Sequence, residues 1–295
     1  MMIAHVNPPS NLKHLNKLIV SLAGSEQLGI VFRRTIATIV VCQMLPKDAT
    51  LGSFRGLVKG GTAMKLRMGR TQVRFSADLD MSQNGTVEDF IEELQKNLQA
   101  GWADFTGRLV WKTPAKPKLI PSEYLMLPFE IKLAYKNESW TTVVFELGAD
   151  EIGDTLNPEY ADSNELRDDF AVLGLPAPSP IPLLPLHHQI AQKLHACSTE
   201  ENERAHDLVD LQLIMRESDI NLALIAKTCK RLFKYRNQQS WPPTVSSQND
   251  WNNLYQVAKE DLDVIQDLSL AVSWANNLIA QIERASKEVN ATKSI

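Results

Sequence analysis

The chain is poor in cysteine, in excess charge and in long apolar runs, and each shortage closes off a class of protein. Cys42, Cys197 and Cys229 are the only cysteines among 295 residues. They lie far apart with no C-x-x-C pair, and an odd count suits a reduced compartment better than a disulfide framework. They read as buried fillers. A net charge of −4 supplies no global field for a polyanion, so a nucleic-acid partner must meet a local basic patch. The longest strongly apolar stretch, "TIATIVVCQML" from Thr35 to Leu45, is half as long as the roughly 20 residues a membrane span requires. The opening "MMIAHVNPPSNLKHL" lacks the basic start and apolar segment of a secretion signal. These readings place the protein in the cytoplasm, away from membranes.

What remains is ordinary material for a folded protein, 44% hydrophobic and 22% charged, enough for one large domain or two modest ones. Apolar residues at helical spacing predict helices over Asn11 to Leu22 and Glu26 to Leu45, with Ser10 and Ser25 as N-caps. From Arg55 to about Leu147 the texture changes to short strand-like runs: "RGLVKG", "VRFSADLDM", "GRLVWK", "MLPFEIKLAYK" and "WTTVVFELG", interrupted by the helical "VEDFIEELQKNLQAG". The expected fold class is therefore α+β, a mixed sheet with flanking helices. "LGLPAPSPIPLLPL", Leu173 to Leu186, holds five prolines and reads as a rigid connector, since proline continues neither a helix nor a central strand. From His187 to the end nearly everything is helix-patterned. The expected division is 1–172, connector 173–186, and a helical domain 187–295.

Chemistry concentrates in "LVKGGTAMKLRMGRTQVRFSADLD", Leu57 to Asp80. Side chains at i and i+2 of a strand share a face, so Asp78 and Asp80 stand side by side, about 6–7 Å apart along the chain. Such a pair suits Mg²⁺, which takes one or two carboxylates and completes its shell with water and substrate phosphates. Gly60 and Gly61 let the backbone approach a phosphate closely, and Thr62 is placed to cap the following helix and offer amide donors to the anion. Metal on one side and phosphate donors on the other describe a site for in-line attack on a nucleotide. The same residues also read as a plain turn, a solvated face bearing Ser76 and Asp78, and a loop cap at Asp80.

A second constellation lies downstream in "HHQIAQKLHACSTEENERAHDLVDL". Lys193 sits in an amphipathic helix, and Asp207 and Asp210 share a face of the next at i, i+3. The lysine can hold a phosphate as a point charge, with an aspartate orienting it or acting as base. Equally, Lys193 can snorkel from an apolar face and Asp207 can pair with Arg204.

Taken in order, "LVKGGTAMKL", "RFSADLD", "FEIKLAY", "IAQKLHA" and "RAHDLVDL" resemble the AbiEii/AbiGii toxin family of nucleotidyltransferase-like proteins, built on the DNA polymerase β type of core. The pieces run from Leu57 to Leu213, about half the chain. The resemblance implies a nucleotidyltransferase-type sheet and catalytic metals on Asp78 and Asp80. It brings Gly60, Gly61 and Thr62 to the nucleotide phosphates, with Lys59 and Ser76 grouped beside them, and completes the site with Lys193 and Asp207. It further implies an NTP substrate, Mg²⁺, a tRNA 3′ end or other RNA as acceptor, a role in toxin–antitoxin or phage-defence loci, and a separately encoded antitoxin. Two departures stand out: His187 and His188 where the family carries a glutamate, and His206 where it often has a Lys or Arg. Their spacing with His195 matches no zinc pattern. A third carboxylate is expected on a neighbouring strand, with Glu130 in "FEIKLAY" the nearest candidate. Its i+2 neighbour Lys132 shares its face, so the two also read as a surface ion pair.

For an RNA backbone the best local patch is "IAKTCKRLFKYRNQQSW", which gathers Lys227, Lys230, Arg231, Lys234 and Arg236 among Phe233, Tyr235 and Trp241, and which reads equally as a solvated helix face whose Leu232 and Phe233 go to the core. Lys112, Lys116 and Lys118 form a smaller basic group. The overall expectation is a nucleotide transfer from NTP to RNA by a sheet unit whose active-site cleft is closed by the helical half. Transfer to a protein or small molecule, or a non-catalytic binding module, is the rival reading.

Overall fold

A computed structural model describes residues 7–48, 53–69, 78–113, 126–217 and 220–292. Ser76, Lys116 and Lys118 lie outside the described residues. The chain divides into two units: Met1–Arg67, Ser76–Asp150 and Thr155–Leu183 form the first, and Met68–Phe75, Glu151–Asp154 and Leu184–Ile295 the second.

The first unit opens with α1 (Leu12–Ala23) and α2 (Glu26–Gln43). Asn11, rather than Ser10, caps α1 by accepting from the His14 amide at 2.9 Å. Ser25 caps α2 as expected, accepting from the Leu28 amide. A seven-stranded mixed sheet follows, made of β1 (Gly56–Lys59), β2 (Asp78–Gln83), β3 (Phe105–Trp111), β4 (Leu127–Tyr135), β5 (Glu138–Ala149), β6 (Glu159–Ala161) and β7 (Ile181–Leu183). Its order is β3-β4-β5-β2-β1-β7-β6. Three helices interrupt it, α3 (Gly60–Met68), α4 (Val87–Ala100) and α5 (Asn164–Val172). This is the expected α+β class.

Alternation explains the sheet. In β4 every second residue from Phe129 to Tyr135 is buried, so Phe129, Ile131, Leu133 and Tyr135 join Phe145, Leu147, Leu79 and Met81 in one core with α1, α2 and α4. Registered neighbours share a face. The other face therefore carries Glu130 and Lys132 of β4, Val144 and Glu146 of β5, and Asp78 and Asp80 of β2.

The proline-rich segment is not a plain connector. Ile181–Leu183 pairs in parallel with β1 and antiparallel with β6, buried at all three residues. Pro182 removes one ladder donor, and the strand stays three residues long; hydrophobic neighbours at Ile181 and Leu183 hold it in the sheet.

The second unit is helical: α6 (Leu186–Ser198), α7 (Ala205–Glu217), α8 (Leu222–Arg236), α9 (Trp251–Ala258) and α10 (Leu268–Thr292). Its own core includes Ile190, Leu194, Leu211, Ile225, Trp251 and Tyr255, all essentially inaccessible. The cysteines are free and buried, and burial pushes the Cys42 thiol up to about 12. No helix among the described residues is long and apolar enough to cross a membrane.

Candidate active site

Strand β1 runs straight into α3 with no intervening loop, and Gly60 makes the reversal at φ +66°, a conformation that costs glycine little and other residues more. Closeness matters as much as dihedral. A Cβ on Gly60 would overlap Asp80 Oδ2 and stand 3.1 Å from its Cγ, so the glycine lets the carboxylate rest against the first turn of the helix. The Thr62 hydroxyl donates to the Asp78 carbonyl at 2.7 Å. Thr62 is thus not the helix cap expected from the sequence: α3 already begins at Gly60, and the threonine instead ties its first turn to the start of β2. That turn, Gly60, Gly61 and Thr62, presents amide groups with no intrahelical acceptor, the feature by which helix ends attract anions.

Asp78 is exposed and Asp80 half-buried at successive same-face positions of β2. Lys59 is registered against Asp80 on β1. Its Nζ reaches across towards β5, where a Cβ on Gly148 would stand 3.0 Å from it. On the other side of β2, β5 runs parallel and sets Glu146 beside Asp80 and Val144 beside Asp78. Glu146, not Glu130, is therefore the carboxylate on the strand next to the aspartates. Glu130 lies one strand further out on β4, where Lys112 binds it at 2.9 Å and Lys132 approaches at 3.7 Å, and these cations hold its carboxyl below the usual range. A signal for Glu146 exists in "FELG": a glycine two residues on, within a strand, marks a close approach of another group.

Among the described residues no three His, Cys, Asp or Glu side chains gather into a metal-sized group. The donor set is a carboxylate pair, which fits Mg²⁺ because phosphates and water supply most of its shell. Such an ion, when bound, neutralises charge on the phosphates.

The second constellation is a buried ion-pair cluster inside the helical unit. Lys193 on α6 is 5% exposed, and its Nζ donates to Asp207 Oδ1 at 2.8 Å and Asp210 Oδ2 at 2.6 Å, both on α7. Arg204 Nε adds a bond to Asp207 Oδ2 at 2.8 Å. Burial by itself raises the Asp207 carboxyl, but Arg204, Lys193 and His206 outweigh it and hold it well below the ordinary range.

Of the histidines near the lysine in sequence, His187, His188 and His195 pack against neighbouring side chains. His187 Nδ1 lies 2.8 Å from Thr228 Oγ1 and its ring packs on His188. His195 is buried against Phe233, with Nδ1 3.3 Å from Arg236 Nη1 and Nε2 without a partner. Burial, aided by the Arg236 charge, lowers it from 6.5 to about 3. The neutral ring is what the fold accepts, so its contribution is complete above pH 6.5 and is lost as pH falls below that value towards 3. The unfolding free energy from urea titrations should accordingly fall as pH is lowered from 6.5 to 4.5, by up to about 1.4 kcal/mol per pH unit from this group. A His195→Gln variant should show a flatter profile; identical profiles would refute the assignment.

The α8 basic patch is largely committed within the unit. Arg236 makes two 2.8 Å bonds to Glu151, Arg231 donates to the Ile152 carbonyl, and Lys230 meets Ser286 at 2.7 Å and Glu283 at 3.3 Å. Lys227 and Lys234 are exposed. Phe233, which the sequence allows either to stack on bases or to face the core, is in the core.

The fold is similar to a solved structure of MenT4, a nucleotidyltransferase toxin of Mycobacterium tuberculosis H37Rv, at TM-score 0.52 and 15% identity, covering 92% of this chain and 98% of that one. A comparison with curated protein sequences returns no match. A family model described as nucleotidyl transferase AbiEii toxin, type IV toxin–antitoxin system, matches residues 52–283. Carrying the glycine turn, the paired aspartates and the lysine and aspartate helices within that span, the chain belongs to the AbiEii family of nucleotidyltransferase toxins.

Proposed function

We propose that this protein transfers a nucleotide from an NTP to an RNA acceptor, tRNA first among them, in the cytoplasm, and that a separately encoded antitoxin restrains it. The observation that supports this most is the placement of Asp78 and Asp80 on one sheet face, with the Asp80 carboxylate against the first turn of α3. Asp78 and Asp80 are assigned to Mg²⁺. The amides of Gly60, Gly61 and Thr62 are assigned to orient the phosphates, with Lys59 beside them, and Ser76, outside the described residues, keeps the nucleotide-binding role that the family resemblance implies. Lys193, oriented by Asp207, is assigned to the triphosphate.

In the reaction the acceptor hydroxyl forms a new bond to the α-phosphorus, the α–β bridging bond breaks, and pyrophosphate leaves with the electron pair. The hydroxyl proton passes to a carboxylate oxygen on the same face, where Glu146 stands beside Asp80. Positioning and charge neutralisation carry such a transfer more than covalent chemistry does.

The test is incubation of purified protein with each labelled NTP, Mg²⁺ and total tRNA, with Asp78→Ala alongside. Label on tRNA from the wild type but not the variant is the expected result. Label on the protein or on a small molecule instead would replace the acceptor, and no NTP consumption would replace the enzyme by a binding module.

A further inference from the structure

We propose that the open face of the sheet outside β5, carrying Arg108, Lys112 and Lys132, is the surface on which the phosphate backbone of the RNA acceptor lies. The inference rests on the nucleotide-transfer reading above and adds where that acceptor is held.

The register builds the surface. Arg108 on β3 is paired directly with Lys132 on β4, and like charges placed opposite each other on neighbouring strands oppose pairing. Both point to the face opposite the buried Phe129–Ile131–Leu133 side, since each lies at an alternate position. Arg108 is exposed, and the Lys112 and Lys132 side chains are 52% and 42% exposed. The single carboxylate among them, Glu130, is shared by the two lysines, so three cations stand against one anion. In a chain of net charge −4, that local excess is what a polyanion requires.

Its position gives the excess a purpose. The row next to the Arg108–Lys132 pair runs from Glu130 through Val144 to Asp78. Lys132 on β4 thus lies on the same face as the aspartates, two strand spacings from β2, or ~10 Å across the strands, and Arg108 on β3 lies three away, or ~14 Å. Val144, 39% exposed, separates Glu130 from Asp78 in that row, and Glu146 lies two residues further along β5 on the same face. An acceptor whose terminal hydroxyl is at the aspartates must put its preceding phosphates within roughly this distance. The alternative patch on α8 has three of its five cations bound to neighbours in the helical unit.

The experiment measures binding of labelled total tRNA across a salt series, without NTP, for the full-length wild type, Arg108→Ala/Lys132→Ala and Lys227→Ala/Lys234→Ala. The sheet variant is expected to bind at least ~10-fold more weakly at low salt, with a log–log salt slope shallower by about 2. The α8 variant is expected to stay within about twofold of wild type. Unchanged melting of the sheet variant, and unchanged protection of its melting by NTP with Mg²⁺, would show that the fold and nucleotide site are intact. If wild type and sheet variant bind tRNA equally, or the α8 variant alone loses binding, the surface is wrong while the RNA-acceptor reading stands. If the wild type binds no tRNA at any salt, both fall, and the patch would be sought by an acidic protein instead.

Discussion

Asp80→Asn should lower nucleotide transfer on the order of 10³-fold while shifting the melting temperature by only a few degrees, because it keeps the shape of the side chain and removes its charge. Shape matters here. The Asp80 carboxylate fills the space that a Cβ on Gly60 would occupy, and an amide fits the same space where a smaller side chain would leave it open. The loss therefore reports on charge at a site poised between the first turn of α3 and the β2 face. A second readout separates chemistry from folding: wild-type melting should rise when NTP and Mg²⁺ are added together, as mass action demands for any ligand bound by the folded state, and the variant's rise should be small or absent. Glu146→Gln, on the adjacent strand, should cost transfer activity, whereas Glu130→Gln should leave it near wild type, since Glu130 is engaged by Lys112 and lies beyond β5. Transfer by Asp80→Asn above one-tenth of wild type would remove Asp80 from the site.

The contrast between Glu146 and Glu130 shows where sequence reasoning stops. That Asp78 and Asp80 share a face follows from the two-residue period alone, and the helix after Gly60 is announced by the strand-like "GLVK" meeting two glycines. Which strand lies beside β2 is a different kind of fact. β5 reaches β2 only after β3 and β4 have been laid down as a hairpin partner and an edge, so the pairing is decided by which strand can cover α2 and α4 with Phe145 and Leu147, not by anything local. β7 was illegible for a similar reason: Pro182 within it and the prolines around it argue against a strand, and only the gap between β1 and β6 makes one worthwhile. The ion pair of Lys193 was readable as a possibility from its apolar helix and the i, i+3 aspartates. Its burial was not, because the residues that enclose it come from packing within the helical unit. The α8 patch stayed open between an RNA surface and a structural helix face because a row of cations along a helix looks the same whether solvent, RNA or Glu151 and Glu283 face it.

Lys193→Ala should destabilise the helical unit by about 3–5 kcal/mol, seen as a fall of roughly 10 °C or more in its melting transition. The reason is the company the lysine keeps. Asp207 and Asp210 are 0% and 1% exposed, and removing Nζ takes a charged donor from each of two buried carboxylates. Loss of activity in this variant is thus no proof of contact with a triphosphate, since an unfolded helical unit would lose it too. Neutralising the partners resolves the matter. Lys193→Met combined with Asp207→Asn and Asp210→Asn removes all three charges with little change in volume, and buried pairs replaced in this way often recover most of their stability. Were the lysine only a clamp between α6 and α7, nucleotide transfer would return with the melting temperature. If Lys193 also meets the triphosphate, the triple variant should melt near wild type and still fail to transfer.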